Sequence, residues 1–168
     1  MLHFDRSEFE HRIAGARRLM REDRLDALLV FAQESLYYLT GFDTSGFVFF
    51  QCAVLTADEA RQPVLLTRRP DLEQARRTST FEDIRLWYDR PGMDPSKELQ
   101  DILAEMGLAG ARIGIEMRTF GLTADNYALV SARLAGWCEL VDASGLVRAL
   151  RVVKSPAEIA YVRQAAEL

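Results

Sequence analysis

Few side chains in this sequence stand where they could do chemistry, and they gather in three short stretches. The first is Gly41-Phe42-Asp43-Thr44-Ser45-Gly46, a polar segment bounded by glycines. Loops whose ends are fixed by regular elements are common places for binding residues. Phe42 offers an apolar wall there, and Asp43 a charge for a cationic group. The plainer reading is a connection in which Phe42 plugs the core. The second stretch, Trp87-Tyr88-Asp89-Arg90, joins aromatic walls to both signs of charge, although an ordinary strand end accounts for it as simply. The third is Arg68-Arg69, just after an apolar run. A guanidinium fork there can hold a carboxylate bidentately, but such residues more often solvate a turn.

Nothing in the sequence makes a self-sufficient catalytic set. His3 and His11 are eight positions apart and read as surface histidines, since no HExxH or equivalent spacing accompanies them. Glycine patterns that cradle phosphates are missing, as is a GxSxG elbow; Gly114 and Gly121 fit strand packing and a turn. Cys52 stands inside an apolar run, where thiolate formation is disfavoured. We therefore expect no catalytic residue, no metal ligand and no cofactor within this chain.

The bulk numbers bound the class. A chain of 168 residues with 49% apolar and 27% charged residues is that of one globular domain. Such a chain buries roughly 70% of its unfolded surface. The net charge of −4 argues against a nucleic-acid partner, because the arginine pairs Arg17-Arg18, Arg68-Arg69 and Arg76-Arg77 lie among acids. No stretch approaches the roughly 18 continuous apolar residues of a membrane span. Met1 to Arg6 lacks the layout of a signal peptide, and Cys52 and Cys138 read as two buried thiols. A cytoplasmic protein without a membrane partner is expected.

The elements that must position the three stretches follow from periodicity. Asp5 or Ser7 opens a helix with Phe9, Ile13, Ala16 and Met20 on one face, and Ser7 with Glu10 suggests a capping box. Residues 25–31 read as a strand buried on both faces, and 34–39 as a short helix closed by a left-handed Gly41. The most apolar run, 47–55, predicts a central strand paired by hairpin with 63–67. Further on, helices are expected over 71–77, 96–106, 123–134 and from 142 or 144 to 150, with strands over 84–88, 112–115 and 137–141. Last comes Ser155-Pro156-Ala157-Glu158, an N-cap, a proline at the first helical position and a capping-box acid. Ile159, Val162 and Ala166 continue it at helical spacing with no stop signal, as if leading into a longer protein. Strands alternating with helices, plus one hairpin, define an α/β fold with a mixed sheet flanked by helices.

Four segments then resemble one family in its order. Tyr37-Tyr38-Leu39-Thr40-Gly41-Phe42 resembles the N-x-x-Y-L-T/S-G-F/Y segment of the N-terminal domain of creatinase and Xaa-Pro peptidases, with Ser35 where that family usually has Asn. Arg112-Ile113-Gly114-Ile115-Glu116 is similar to its R-I-G-x-E strand, and Glu139-Leu140-Val141-Asp142-Ala143 to its E-L-V-D-A segment. The run from Leu150 to Ile159 resembles its L-R-x-x-K-S-x-x-E-I linker.

The resemblance implies a ribonuclease-H-like domain over residues 1–150. Residues 151–168 would then begin a linker helix into a C-terminal "pita-bread" catalytic domain. It further implies a parent hydrolase of C–N bonds, an Xaa-Pro peptidase or a creatinase-like amidinohydrolase. In metal-dependent members two divalent ions are held by two Asp, one His and two Glu of that second domain. The implied role of this domain is to shape the active site and assist formation of a homodimer. Its partners would be its own catalytic domain and a dipeptide or other small-molecule substrate. The Gly41–Gly46 loop would border the active site of the dimer, which makes Phe42, Asp43, Arg68, Trp87, Tyr88 and Arg90 the substrate-proximal candidates. A free-standing small-molecule-binding or interaction module, and the N-terminal domain of a family lyase, remain alternatives.

Overall fold

The computed structural model describes residues 2–167. Met1 and Leu168, the outermost residues of the two expected segments, lie outside them. Six strands form one sheet in the order β4-β3-β2-β1-β5-β6. They are β1 (Ala27–Val30), β2 (Cys52–Thr56), β3 (Val64–Arg68), β4 (Asp83–Trp87), β5 (Arg112–Ile115) and β6 (Glu139–Asp142). β2 runs against both its neighbours, whereas β3 with β4, β1 with β5 and β5 with β6 are parallel. The expected α/β fold with a mixed sheet is therefore the observed one.

Seven α-helices accompany the sheet among the described residues, the first six covering its two faces: α1 (Arg6–Glu22), α2 (Gln33–Thr40), α3 (Leu72–Thr78), α4 (Pro95–Glu105), α5 (Ala124–Leu134), α6 (Leu146–Val152) and α7 (Pro156–Ala166). Strand alternation divides the core in two. Ala27 and Leu29 of β1 face Leu99, Ile102 and Leu103 of α4 and Val130 and Leu134 of α5. Leu28 and Val30 face the other way, onto Ala16 and Met20 of α1, Leu36 and Leu39 of α2, and Leu146 and Val147 of α6. A strand apolar on both sides is what burial between two helical layers demands.

The largest correction concerns the apolar run 47–55. Only Cys52 onward is strand; Phe47 and Val48 lie in a turn closed by Phe49 N–H donating to Gly46 O at 3.0 Å. The reason is the ladder. β1 departs into α2 after Val30, opposite Ala53, so the backbone before Cys52 loses its neighbour on that side, while β3 continues to Arg68 paired with β4. Smaller differences follow similar logic. Asp5, not Ser7, is the N-cap of α1, and no side chain caps that helix. Trp137 and Cys138 precede β6 instead of opening it. The helix expected from Asp142 or Ser144 starts at Leu146, because Ser144 spends its hydroxyl elsewhere, and it runs to Val152. α2 ends as expected on Gly41 at φ 77°, and α7 opens with the complete Ser155–Glu158 capping box. Cys52 and Cys138 are both free thiols, and burial pushes the Cys52 thiol well above its ordinary range.

Candidate functional site

Five strands run one way, so their carboxyl ends gather at a single edge of the sheet. Val30, Arg68, Trp87, Ile115 and Asp142 end there, beside the entry to β2 at Cys52. Ligands of open α/β sheets bind at that edge, because the loops leaving the strands converge on it. It also collects exposed large apolar side chains: Phe47 at 40%, Val48 at 58%, Tyr88 at 40% and Phe120 at 93% exposure, with Phe49 and Met117 between them. A soluble surface rarely holds such residues together without a partner to cover them.

The loop that carries Phe47 to Phe49 is pinned from below. Arg68 Nε donates to Asp71 Oδ2 at 2.9 Å, and Gln51 Nε2 donates to the same oxygen at 3.2 Å. The guanidinium of Arg68 lies 3.3 Å from the centre of the Phe49 ring, and its Nη1 is 3.9 Å from Asp89. Gly46 lets the backbone pass close to this network: a Cβ there would lie 2.8 Å from Asp71 Oδ1 and 2.9 Å from Gln51 Nε2, so those side chains would have to shift. Arg68 is thus paired internally instead of held out for a carboxylate.

The other candidates fall into different places. Phe42 is fully buried among Leu36, Leu39 and Phe81, so its side chain presents no surface to a ligand. Trp87 is also buried, with Nε1 donating to Phe50 O at 2.8 Å and its ring edge-on to Phe50. Tyr88 is exposed, with the Arg90 guanidinium 5.0 Å from its ring centre. Asp43 is exposed on the far side of the loop; its N–H donates to Thr78 Oγ1 at 3.2 Å. Burial first, then the Asp43 charge, raises the nearby Tyr37 phenol. The edge therefore unites Arg68, Asp89, Tyr88 and Arg90, leaves Asp43 at its margin, and turns Phe42 and Trp87 inward.

One buried acid was not among the candidates. Glu116, at the end of β5, accepts from Phe31 N–H at 3.0 Å, Ala32 N–H at 2.8 Å and Ser35 Oγ–H at 2.6 Å. It caps the start of α2 from β5, the strand next to β1, by accepting from N–H groups that the helix itself leaves unpaired. Ser35, the position that departs from the usual Asn, is part of this network. The signal for Glu116 was a lone acid ending an apolar strand. Next to it, Ser144 Oγ accepts from the N–H groups of Met117 and Arg118 at 2.8 and 2.9 Å. No group of three or more His, Cys, Asp and Glu side chains is gathered for a metal ion among the described residues. His3 Nδ1 instead shares a hydrogen bond of 2.6 Å with the Tyr37 hydroxyl.

Fold and edge together define an α/β domain with a mixed six-stranded sheet whose candidate side chains gather at one end. Residues 12–153 match the model of the creatinase/prolidase N-terminal domain. The chain belongs to that family. It is 30% identical over 174 residues to an ectoine hydrolase of Halomonas elongata, covering 99% of this chain and 43% of that protein. Among solved structures it resembles the dipeptidase PepE of Mycobacterium ulcerans, with TM-score 0.72 and 25% identity over 94% of this chain and 40% of the other. It also resembles the N-terminal domain of the cytoplasmic peptidase PepQ of Mycobacterium tuberculosis H37Rv, with TM-score 0.63 and 26% identity over 84% of this chain and 98% of that domain. The chain thus spans less than half the length of the curated relatives it matches.

Proposed function

We propose that the carboxyl edge of this sheet forms one wall of the substrate pocket of a C–N bond hydrolase whose catalytic groups lie on a following C-terminal domain. The observation that carries this reading is the pinned loop. Phe47, Val48 and Phe49 are held out at the edge by the Arg68–Asp71–Gln51 network instead of joining the strand. A loop fixed this firmly, with Phe49 already stacked on Arg68, gains little for its own fold from the exposed Phe47 and Val48, but they give a substrate a rigid wall. In the reading we favour, the pocket belongs to the partner subunit of a homodimer, the substrate is a dipeptide or another small molecule, and the protein acts in the cytoplasm. Residues 151–167, including α7, form the linker between the domains. Where the parent uses metal, the two divalent ions sit on the catalytic domain.

The test is kinetic, on the full-length hydrolase carrying this domain. Asp43→Ala and Phe47→Ala should lower kcat/KM while leaving stability within about 0.5 kcal/mol, as exposed loop changes do. Unchanged kinetics in both variants would reduce the loop to a connection.

A further inference from the structure

The helix α7 meets the rest of the molecule chiefly at one buried arginine. We propose that Arg12 is the positioning residue of this helix: its guanidinium holds the start of α7 against α1 and α2, and so sets the direction in which the chain leaves toward the catalytic domain. The proposal deepens the reading above and rests on it for the existence of that domain.

Burial does not set the direction of α7. None of its residues is buried, and none belongs to either apolar core. A space of about 520 Å³ separates it from α2, lined by Tyr37 and Tyr38 of α2 and by Glu158 and Tyr161 of α7. Most helices are held by a packed apolar face. α7 has none, and its direction must come from specific contacts.

Arg12 supplies the first of them. Its side chain is only 2% exposed although it is charged, and its surroundings account for that. Nε donates to Glu8 Oε1 at 3.0 Å, and Nη1 donates to Tyr38 O at 3.1 Å. The guanidinium lies 4.3 Å from the centre of the Phe4 ring and 4.4 Å from that of Tyr38. α1, α2 and the residues before α1 therefore fix the group without help from α7. One nitrogen remains. Nη2 is buried without a hydrogen bond, and Glu158 Oε1 lies 3.4 Å from it. A buried charge left partly unpaired is costly, so the carboxylate of α7 is drawn to this one place.

The acid that answers Arg12 is tied to the backbone of α7. Glu158 Oε2 accepts from Ser155 N–H at 2.9 Å, and Ser155 Oγ accepts from Glu158 N–H at 3.2 Å. The other oxygen, Oε1, faces Arg12, so one carboxylate closes the capping box and docks the helix. Placing Glu158 thus places the first turn of α7. A second contact fixes rotation about that point. Tyr161, three residues on and on the same face, donates its hydroxyl to His3 O at 2.7 Å and meets Phe4 edge-on at 5.2 Å. Phe4 is also the ring that covers Arg12, so both contacts share one wall. Neither contact is deep. α7 therefore opens readily and closes onto one direction.

The test uses the 168-residue chain, isotopically labelled and weakly aligned, with backbone residual dipolar couplings read in α7 and in the sheet. In the unmodified chain the couplings of residues 158–165 should fit the alignment of the six strands. Glu158→Gln has one carbonyl oxygen, which can serve Ser155 N–H or Arg12 but not both. Arg12→Lys keeps the charge but loses the fork that reaches three partners. Each should shift the ratio of docked to released α7 by about tenfold, the weight of one hydrogen bond to a charged group. The α7 couplings should then shrink while those of the sheet persist. Val162→Ala, at an exposed position outside both contacts, should leave them unchanged. The proposal is overturned by α7 couplings that never fit the sheet, by couplings unchanged in Glu158→Gln and Arg12→Lys, or by an equal loss in Val162→Ala. If Arg12→Lys loses the sheet couplings as well, its fold has failed and Glu158→Gln decides alone. In the full-length hydrolase, Arg12→Lys should raise KM more than it lowers kcat, because a displaced wall loses substrate binding while the reacting groups stay on the other domain. Unchanged kinetics for Arg12→Lys beside altered kinetics for Asp43→Ala and Phe47→Ala would also overturn the proposal. A released α7 with unchanged kinetics in all three variants would keep Arg12 as the anchor of α7 and reject the pocket-wall reading.

Discussion

Two phenylalanines at the same end of the sheet behave oppositely. Phe42 is fully buried and Phe120 is 93% exposed. Phe42→Ala should therefore destabilise the chain by about 3–5 kcal/mol, the range for emptying a packed aromatic site. Phe120→Ala should stay within about 0.5 kcal/mol. Urea denaturation of the two variants checks both, and a mild Phe42 variant would mean that the loop can refill the hole. The sequence offered both readings of Phe42, wall and plug. It could not choose, because the direction in which the chain leaves a left-handed glycine depends on what packs beyond it. Glu116 supplies a second test. Burial raises its carboxyl above the ordinary glutamate range, partly offset by the hydrogen bonds from Ser35, Ala32 and Phe31. An acid raised in the folded state keeps its proton to higher pH than in the unfolded chain. Its contribution to stability is then complete below the ordinary glutamate pKa and is lost as pH rises through the raised value. Glu116→Gln is nearly isosteric: its amide oxygen can accept from Phe31 and Ala32, and its NH2 can donate to Ser35. The stability of this variant relative to the unmodified chain should rise as pH increases across that window, read by thermal unfolding against pH. A difference independent of pH would show that Glu116 titrates normally.

At the scale of elements, α7 stands apart from the rest. None of its residues is buried, and Ile159, Tyr161 and Val162 are exposed by 37%, 48% and 58%. It is tethered by a few polar and ring contacts. Glu158 approaches the buried Arg12 at 3.4 Å, the Tyr161 hydroxyl donates to His3 O at 2.7 Å, and Tyr161 meets Phe4 edge-on. Helices this short are marginal in water without an apolar face to bury. Amide exchange should accordingly be fast across 157–166 and slow in β1 and β2, whose residues are all buried. Slow exchange in α7 of a demonstrated monomer would contradict this. Glu158→Ala should speed exchange further, since a lost cap costs about 1 kcal/mol and the Arg12 contact goes with it. The start of α7 was fully legible, because a capping box with proline is a local device written in four adjacent residues. The start of β2 was not. Phe47 to Phe50 look like strand by composition, yet a strand needs neighbours, and where β1 turns away is a tertiary fact.

For the whole molecule, alternation of strands and helices was enough to reach the α/β layering, since each strand apolar on both faces requires a helical layer on each side. The gathering of the candidate residues was harder to read. Arg68, Tyr88 and Asp89 meet only because β3 and β4 run parallel and in register, Arg68 opposite Trp87, whereas Asp43 leaves on the other side of its loop. Arg12, Tyr38 and Glu158 are separated by long stretches of chain and carry no shared motif, so only the folded chain brings them together. What the carboxyl edge can bind differs from what it can catalyse, and that difference gives the last prediction. His3 is engaged with Tyr37, and His11 is on α1, away from the carboxyl edge. Cys52 is buried with its thiol pushed up, which leaves it protonated and a poor nucleophile. A two-metal hydrolytic site needs several carboxylates and a histidine converging on one point, and no such convergence exists among the described residues. The 168-residue chain should therefore show no turnover of Xaa-Pro dipeptides or of creatine-like amidines, with or without added manganese, zinc or cobalt. Turnover that requires added metal and disappears with a chelator would overturn this, and would mean that a ligand set forms in a conformation other than the one described.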